Sequence, residues 1–343
     1  MTDLPNLPAV SDANNAQVAP FQTYLNGLYE QYKALNEGSV ASYIPELALA
    51  KPEWFGISCI TPDGRIFETG NCSQLFTIQS VSKAFIYGLA LEDWGREHVF
   101  SKVNVEPTGE AFNAIVLDEK TNRPYNPLVN AGAIATTDLV KGDNATERLK
   151  RILEMFRRYT GRDLDINVPI FLSEKATGHR NRAIAYLMRN CAMISERIDE
   201  TLDLYFQQCS IMVNARDLAM MSATLANGGV NPITGEQAIA EDYIQDVLSV
   251  MLTCGMYDYS GEWAYRVGLP AKSGVGGGTV VAVPHKLGIG TFSPLLDAKG
   301  NSVRGIKVFQ ALSQDFGLHM FSAAKAPKNL QEWLDGTSNA YSD

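Results

Sequence analysis

Two short motifs in this chain could perform covalent chemistry together. In FTIQSVSKAFIYGLALEDWG, residues 76–95, Ser80 precedes Lys83 by three positions, and an apolar run from Phe85 to Leu91 follows. Residues three apart on a helix share a face, so Lys83 would stand beside the Ser80 hydroxyl. The free N–H groups and positive field of a helix N-terminus would stabilise an alkoxide or an oxyanion there. Lys83 can accept a proton only when neutral, so burial and that field would have to lower its pKa from about 10.4. The plainer reading is an N-capping serine and a solvated lysine, because S-x-x-K arises by chance in many chains.

The second motif is PAKSGVGGGTVVAVP, which places Lys272, Ser273 and Gly274 on a late strand. Penicillin-recognising serine enzymes pair S-x-x-K with K-T-G on a late strand, and here serine replaces the threonine. The glycines Gly274, Gly276, Gly277 and Gly278 would let a backbone approach a ligand closely. A dinucleotide loop is the rival, but strand residues follow the glycines rather than a helix. No S-D-N lies between Lys83 and Lys272, which disfavours a true beta-lactamase, and the absence of G-x-S-x-G weighs against an α/β-hydrolase. The histidines, His98, His179, His285 and His319, are scattered and HExxH is absent, so neither a metal nor a cofactor is expected.

The elements that must carry these motifs can be read from periodicity. WFGISCITPDGRIFETG reads as a hairpin around TPDG. Helical patterns fill Ser80 to about residue 255. In ATERLKRILEMFRRYTG, Thr146 is the expected N-cap, Leu149, Ile152, Leu153 and Phe156 form a stripe, and Gly161 is the stop. In NARDLAMMSATLANGG, Asn214 starts a helix that carries Leu218, Met221 and Leu225 and ends at Gly228. Strand character returns in WAYRVGLPAKSG, TVVAVP and LGIGTFS, and VRGIKVFQALSQDFG reads as a last long helix. Leu330, Trp333 and Leu334 of PKNLQEWLDG would share one helical face and dock on their own chain or on a partner. Strands at both ends with helices between them imply an α+β fold, an antiparallel sheet flanked by helices with an all-helical domain inserted. The expected division is a disordered leader at 1–20, a sheet-bearing part at 21–100 plus 256–320, a helical domain at 101–255, and a tail at 321–343.

The bulk numbers exclude several classes. A net charge of −9 argues against a nucleic-acid surface, which needs clustered Lys and Arg. No stretch approaches the roughly 18 apolar residues of a membrane span. MTDLPNLPAVSDANNAQVAP has neither a basic residue nor a long apolar run, so it reads as neither a signal nor a transit peptide. Cys59, Cys72, Cys191, Cys209 and Cys254 are odd in number with no CxxC, which fits reduced thiols. A soluble cytoplasmic protein is expected.

FTIQSVSK, NPLVNAGAI, SEKATGHRN, YFQQCS and CGMYDYSGEWAYRVGLPAKSGVGGG together resemble the serine-dependent glutaminases, over about residues 24 to 317. The resemblance implies a beta-lactamase/DD-peptidase-like fold, hydrolysis of L-glutamine to L-glutamate and ammonia, and a homodimer or homotetramer. It implies Ser80 as nucleophile, Lys83 as its base and Tyr257 as proton carrier to the leaving ammonia. For the substrate it implies Tyr43, Gln79, Asn130, Glu174, Asn181 and Tyr205, with the Val275 N–H joining that of Ser80 in an oxyanion hole. Each of these also has a plainer reading: Tyr205 shares a helical face with Ile198 and Leu202, Asn130 could cap a helix, Tyr43 could pack before Pro45, and Glu174 and Asn181 could be helix-terminal polar residues. Two rival functions follow the same residues, another Ser-Lys hydrolase acting on beta-lactams or esters, and an amino-acid sensor without turnover.

Overall fold

The computed structural model describes residues 19–323 and 328–337. Its strands are β1 (Gly56–Ile60), β2 (Ile66–Gly70), β3 (Phe76–Thr77), β4 (Met212–Val213), β5 (Ala271–Ser273), β6 (Gly278–Val283) and β7 (Leu287–Phe292). Five of them form one antiparallel sheet in the order β2-β1-β7-β6-β5, drawn from both ends of the chain, and β3 pairs with β4. The expected hairpin is β1–β2: Ile60 faces Ile66, and the Gly64 N–H closes the turn on the Thr61 carbonyl at 2.9 Å.

Helix α1 spans Pro20–Tyr32. Between β3 and β4 lie α2 (Ser82–Phe100), α3 (Asn130–Asp138), α4 (Ala145–Thr160), α5 (Val168–Thr177), α6 (His179–Asn190) and α7 (Ile198–Cys209). Between β4 and β5 come α8 (Ala215–Ala226), α9 (Ile244–Cys254) and α10 (Ser260–Arg266), and α11 (Val303–Asp315) and α12 (Leu330–Asp335) follow the sheet. No helix among the described residues is long and apolar enough to cross a membrane.

Helix α8 is the keystone. Asn214 and Asp217 form a reciprocal capping box at its start. Apart from Arg216 every residue of the helix is buried, because it lies between the sheet and α4, which explains why its pattern is small and apolar all round rather than striped. It approaches β7 so closely that a Cβ on Gly290 would lie 2.3 Å from the Ala215 carbonyl oxygen.

Three local expectations change. The N-cap of α4 is Asn144, whose side chain accepts from the Glu147 N–H, and not Thr146, while Gly161 does end the helix in a left-handed turn at φ 76°. The segment WAYR lies in α10 rather than in a strand, so the strand shrinks to Ala271–Ser273. Its aromatic content serves packing: Trp263 is fully buried and donates through Nε1 to the Leu269 carbonyl at 2.7 Å. The tail docks on its own chain. Leu330 and Leu334 of α12 join Phe21, Leu25 and Phe316 in one cluster, and Arg65 pairs with Asp335 at 2.9 Å. Ala19 and Pro20 open α1, and the remainder of the expected leader lies outside the described residues.

Candidate active site

The sequence folds Ser80 into a tight corner. Strand β3 leads through Ile78, whose N–H donates to Ile211 O at 2.8 Å, into a 3-10 turn over Gln79–Val81, and α2 starts at Ser82. Ser80 is the second residue of that turn, so its N–H has no acceptor within the turn and is free for a ligand. Gln79 beside it sits at φ 49°, and Tyr257 across from it at φ 56°. Neither is glycine, and each such residue costs about 1–3 kcal/mol, a cost that clusters at functional sites. The glycine-rich turn after β5 presses on this corner: a Cβ on Gly274 would lie 2.9 Å from Ile78 O, and one on Gly276 2.6 Å from Thr77 O. Those glycines therefore serve an approach of chain to chain, whereas the sequence had suggested chain to ligand.

Lys83 lies in the first turn of α2 with its side chain fully buried. Its Nζ donates to Asn130 Oδ1 at 2.6 Å and to the Leu128 carbonyl at 3.4 Å. No carboxylate among the described residues pairs with it, and burial brings its pKa down to about 8. A neutral amine has two N–H groups and one lone pair. With both donors turned to Asn130 and Leu128, the lone pair is left for a proton.

Lys272 on β5 is a second fully buried amine. It donates to Ser273 O at 2.6 Å and Gly255 O at 3.1 Å and stands 4.3 Å from the centre of the Tyr257 ring. Burial holds its pKa well below the lysine range, and the Lys83 charge lowers it further. Tyr257 donates to Ser273 O at 3.0 Å. Burial pushes its phenol up, an effect that the Ser80 hydroxyl and the backbone N–H of Val275 oppose. Phe112 closes this side, 4.7 Å from the Tyr257 ring and 5.8 Å from Lys83 Nζ.

A carboxylate stands beside Gln79, the residue before Ser80. Glu174 is buried on α5 and accepts from the Tyr43 hydroxyl at 2.6 Å. The Tyr43 ring is half exposed while its hydroxyl end is sheltered, and the same hydroxyl reaches Gln79 Oε1 at 3.4 Å. Burial raises the Glu174 carboxyl, hydrogen bonds from Tyr43 and Gln79 lower it, and the Glu46 charge raises it. Asn181 on α6 accepts from Asn130 Nδ2 at 2.9 Å. Tyr205, buried on α7, has its phenol pushed far up by burial, with the Cys209 and Glu174 charges adding to the effect.

Thus Tyr43, Gln79, Ser80, Lys83, Asn130, Glu174, Asn181, Tyr205, Tyr257 and Val275 converge on one site. Lys83 is hydrogen-bonded to Asn130 and Leu128 rather than to Ser80. The set of site residues expected from the sequence omits Lys272 and Ser273, although K-S-G is one of its motifs. Ser273 Oγ is buried with no hydrogen-bond partner among the described residues, an anomaly that a bound ligand would remove. It also omits Cys209, whose thiol is pushed up to about 12 by burial and by the Glu174 charge while Lys83 pulls it down. Only its place in YFQQCS could have marked it.

Comparison with known proteins gives the family of the chain. The glutaminase family model matches residues 38–321. A glutaminase of Microcystis aeruginosa is 71% identical over 331 residues, 96% of this chain and 98% of its own. Glutaminase 2 of Clostridium perfringens is 49% identical, covering 88% of this chain and all of its own. Among solved structures, the probable glutaminase ybaS superposes with a TM-score of 0.86 at 40% identity, covering 89% of this chain and 99% of its own. Mglu in its glutamate form gives 0.85 at 42% identity, covering 89% and 71%.

Proposed function

The chain belongs to the glutaminase family, with the beta-lactamase-like fold of that family, and is a glutaminase; we propose that it hydrolyses L-glutamine through a glutamyl–Ser80 acyl-enzyme with Lys83 as base. The observation that carries this reading is Lys83, a buried amine at the start of α2 with both N–H donors engaged and its pKa near 8. In the acylation step Ser80 Oγ attacks the side-chain amide carbon as its proton passes to Lys83 Nζ. The amide oxygen becomes an oxyanion held by the N–H groups of Ser80 and Val275. The C–N bond then breaks as the Tyr257 hydroxyl gives its proton to the leaving nitrogen and is reprotonated from Lys83. Water attacks the ester carbon as its proton passes to the same amine, and the carbon–oxygen bond to Ser80 breaks as Lys83 returns that proton to Ser80 Oγ, which releases glutamate.

Substrate recognition follows from charge. Glu174, with Tyr43 and Gln79 around it, suits the α-ammonium. Asn130, Asn181, Tyr205 and the unpartnered Ser273 hydroxyl suit the α-carboxylate. Mglu, solved in its glutamate form, carries the product expected here. The five cysteines are free, in keeping with a reducing, cytoplasmic compartment. A homodimer or homotetramer is part of the proposal. Ammonia release over a panel of amino-acid amides, with a beta-lactam control, tests the whole reading. Turnover of the beta-lactam in place of glutamine would transfer the site to another Ser-Lys hydrolase, and glutamine binding without ammonia would make it a sensor.

Two predictions follow from the same geometry. With Lys83 titrating near pH 8, only about a tenth of it is neutral at pH 7. The base works when deprotonated, so kcat/KM for glutamine should climb from pH 6 towards 9 with its inflection near that value. A flat or falling profile over this range would remove Lys83 from the role. Asparagine should be a poor substrate. One missing methylene alone discriminates by roughly 10–200-fold, and a carbonyl misplaced from a fixed oxyanion hole should widen the gap. Comparable kcat/KM values for the two amides would contradict the site.

A further inference from the structure

We propose that Arg304 is a positioning residue for the substrate site: its buried guanidinium closes the neck of segment 33–54 and so holds Tyr43 against Glu174. The inference rests on the reading of Tyr43 and Glu174 as substrate-binding groups. Segment 33–54 leaves α1 and returns to β1, with Tyr43 near its crest. Arg304, in the first turn of α11, is fully buried. Its Nε donates to Leu35 O at 2.9 Å and its Nη2 to Asn36 Oδ1 at 3.4 Å, on the outgoing limb. Its Nη1 donates to Pro52 O at 2.7 Å and Trp54 O at 3.3 Å, on the returning limb, and to Ser293 Oγ at 3.3 Å beside β7. Burying a guanidinium without a carboxylate is costly unless its donors are satisfied. Here the acceptors are backbone and neutral side-chain oxygens of the two limbs, so the cation is satisfied only while the neck stays closed.

The crest is tied to the other wall of the site. Glu46 Oε1 accepts from Ser173 Oγ at 2.8 Å, next in sequence to Glu174, and Ile44 and Leu47 pack with Ile170 of α5. Ile44 and Leu47 seat one side of the crest, but the packing under the segment is incomplete. A cavity of about 180 Å³ lies there, walled by Ala41, Glu46, Trp54, Val275 and Phe292. A reciprocal pair of bonds between Ser39 and Leu296, each 2.9 Å, holds the outgoing limb to the body. Arg304 is the group that ties both limbs to each other. An open neck would let the crest settle into the cavity or lift away, and Tyr43 would leave Glu174. The Ser80–Lys83 pair is held by other bonds, Ile78 N–H to Ile211 O and Ser82 Oγ to Gln79 O, and keeps its place through them.

Arg304→Lys keeps the charge but cannot span both limbs. It should raise KM for glutamine about tenfold, the scale of a small misplacement of a binding group, with kcat changed less than about threefold. Labelling of Ser80 by a small acylating reagent, which does not need Tyr43, should be unaltered. Tyr43→Phe should raise KM in the native chain but add little in Arg304→Lys, because both changes break one contact. Additive effects, or a loss of Ser80 labelling parallel to the KM change, would overturn the proposal. If Tyr43→Phe alone leaves KM unchanged, the substrate role of Tyr43 fails instead; hydrogen exchange at 39–50 then still tests the neck, and should quicken in Arg304→Lys. Should the variant not fold, exchange in the native chain decides. Amides of 39–50 that open together with α11 support the proposal, and amides that open far more readily than α11 overturn it.

Discussion

Replacing Ser80 by alanine should lower kcat for glutamine by about four to six orders of magnitude, as removal of the nucleophile does in other covalent hydrolases, while the fold persists. The substitution deletes one oxygen. The corner around it is held by other groups: Ser82 Oγ closes the turn on Gln79 O at 2.8 Å, and Ile78 N–H is bound to Ile211 O. The thermal midpoint should therefore move little. Acid-quenched native enzyme should carry a glutamyl group on the peptide containing Ser80, and the variant should carry none. If Ser80→Ala releases ammonia within tenfold of the native rate, the acyl-enzyme at this residue is wrong, whatever the fate of Lys83.

The contrast between Ser80 and Lys272 shows what a linear reading reaches. Ser80 and Lys83 are neighbours in sequence, and a single helix start brings them together. Lys272 belongs to K-S-G, yet its place over the Tyr257 ring depends on β5, on its packing against the 3-10 turn at Ser80, and on the backbone corner at Tyr257 with φ 56°. No local pattern encodes that. Asn130 is similar. Sequence offered it as a substrate group by resemblance, but its bond to Lys83, across 47 positions, exists only once α3 has packed on α2.

Element types were legible wherever periodicity was strong. The hairpin at TPDG, the cap at Asn214 and the stop at Gly161 were all readable. Failures came where two local signals competed. Asn144 and Thr146 are both capping residues, and the choice falls to Asn144 because Glu147 stands three positions on and its carboxylate returns to the Asp143 N–H at 2.9 Å. WAYR has the composition of a strand, but the burial of Trp263 against Phe309 selects a helix.

The sharpest result should come from Glu174. Its carboxylate lies buried beside Gln79 with Tyr43 donating to it, burial already raises its pKa, and among the described residues it has no cationic partner. The α-ammonium of glutamine would supply one. Truncating one member of a desolvated charge pair costs on the order of 2–5 kcal/mol, much of it from the charge left unpaired. Glu174→Gln keeps the size and can still accept from Tyr43, but removes the charge. The lower end of that range corresponds to a fall in kcat/KM of about thirtyfold, since each 1.4 kcal/mol is about tenfold. Glutaramate, which is glutamine without the amino group, separates charge reading from general damage. It should be nearly inert with the native enzyme, because it would leave Glu174 buried and unpaired. In Glu174→Gln that penalty is gone, so the preference for glutamine over glutaramate should shrink. Labelling of Ser80 by a small acylating reagent should persist, because Ser80 and Lys83 are untouched. An unchanged preference ratio in the variant would show that Glu174 does not read the ammonium, and its contact with Tyr43 would then be a structural bond at the rim of the site.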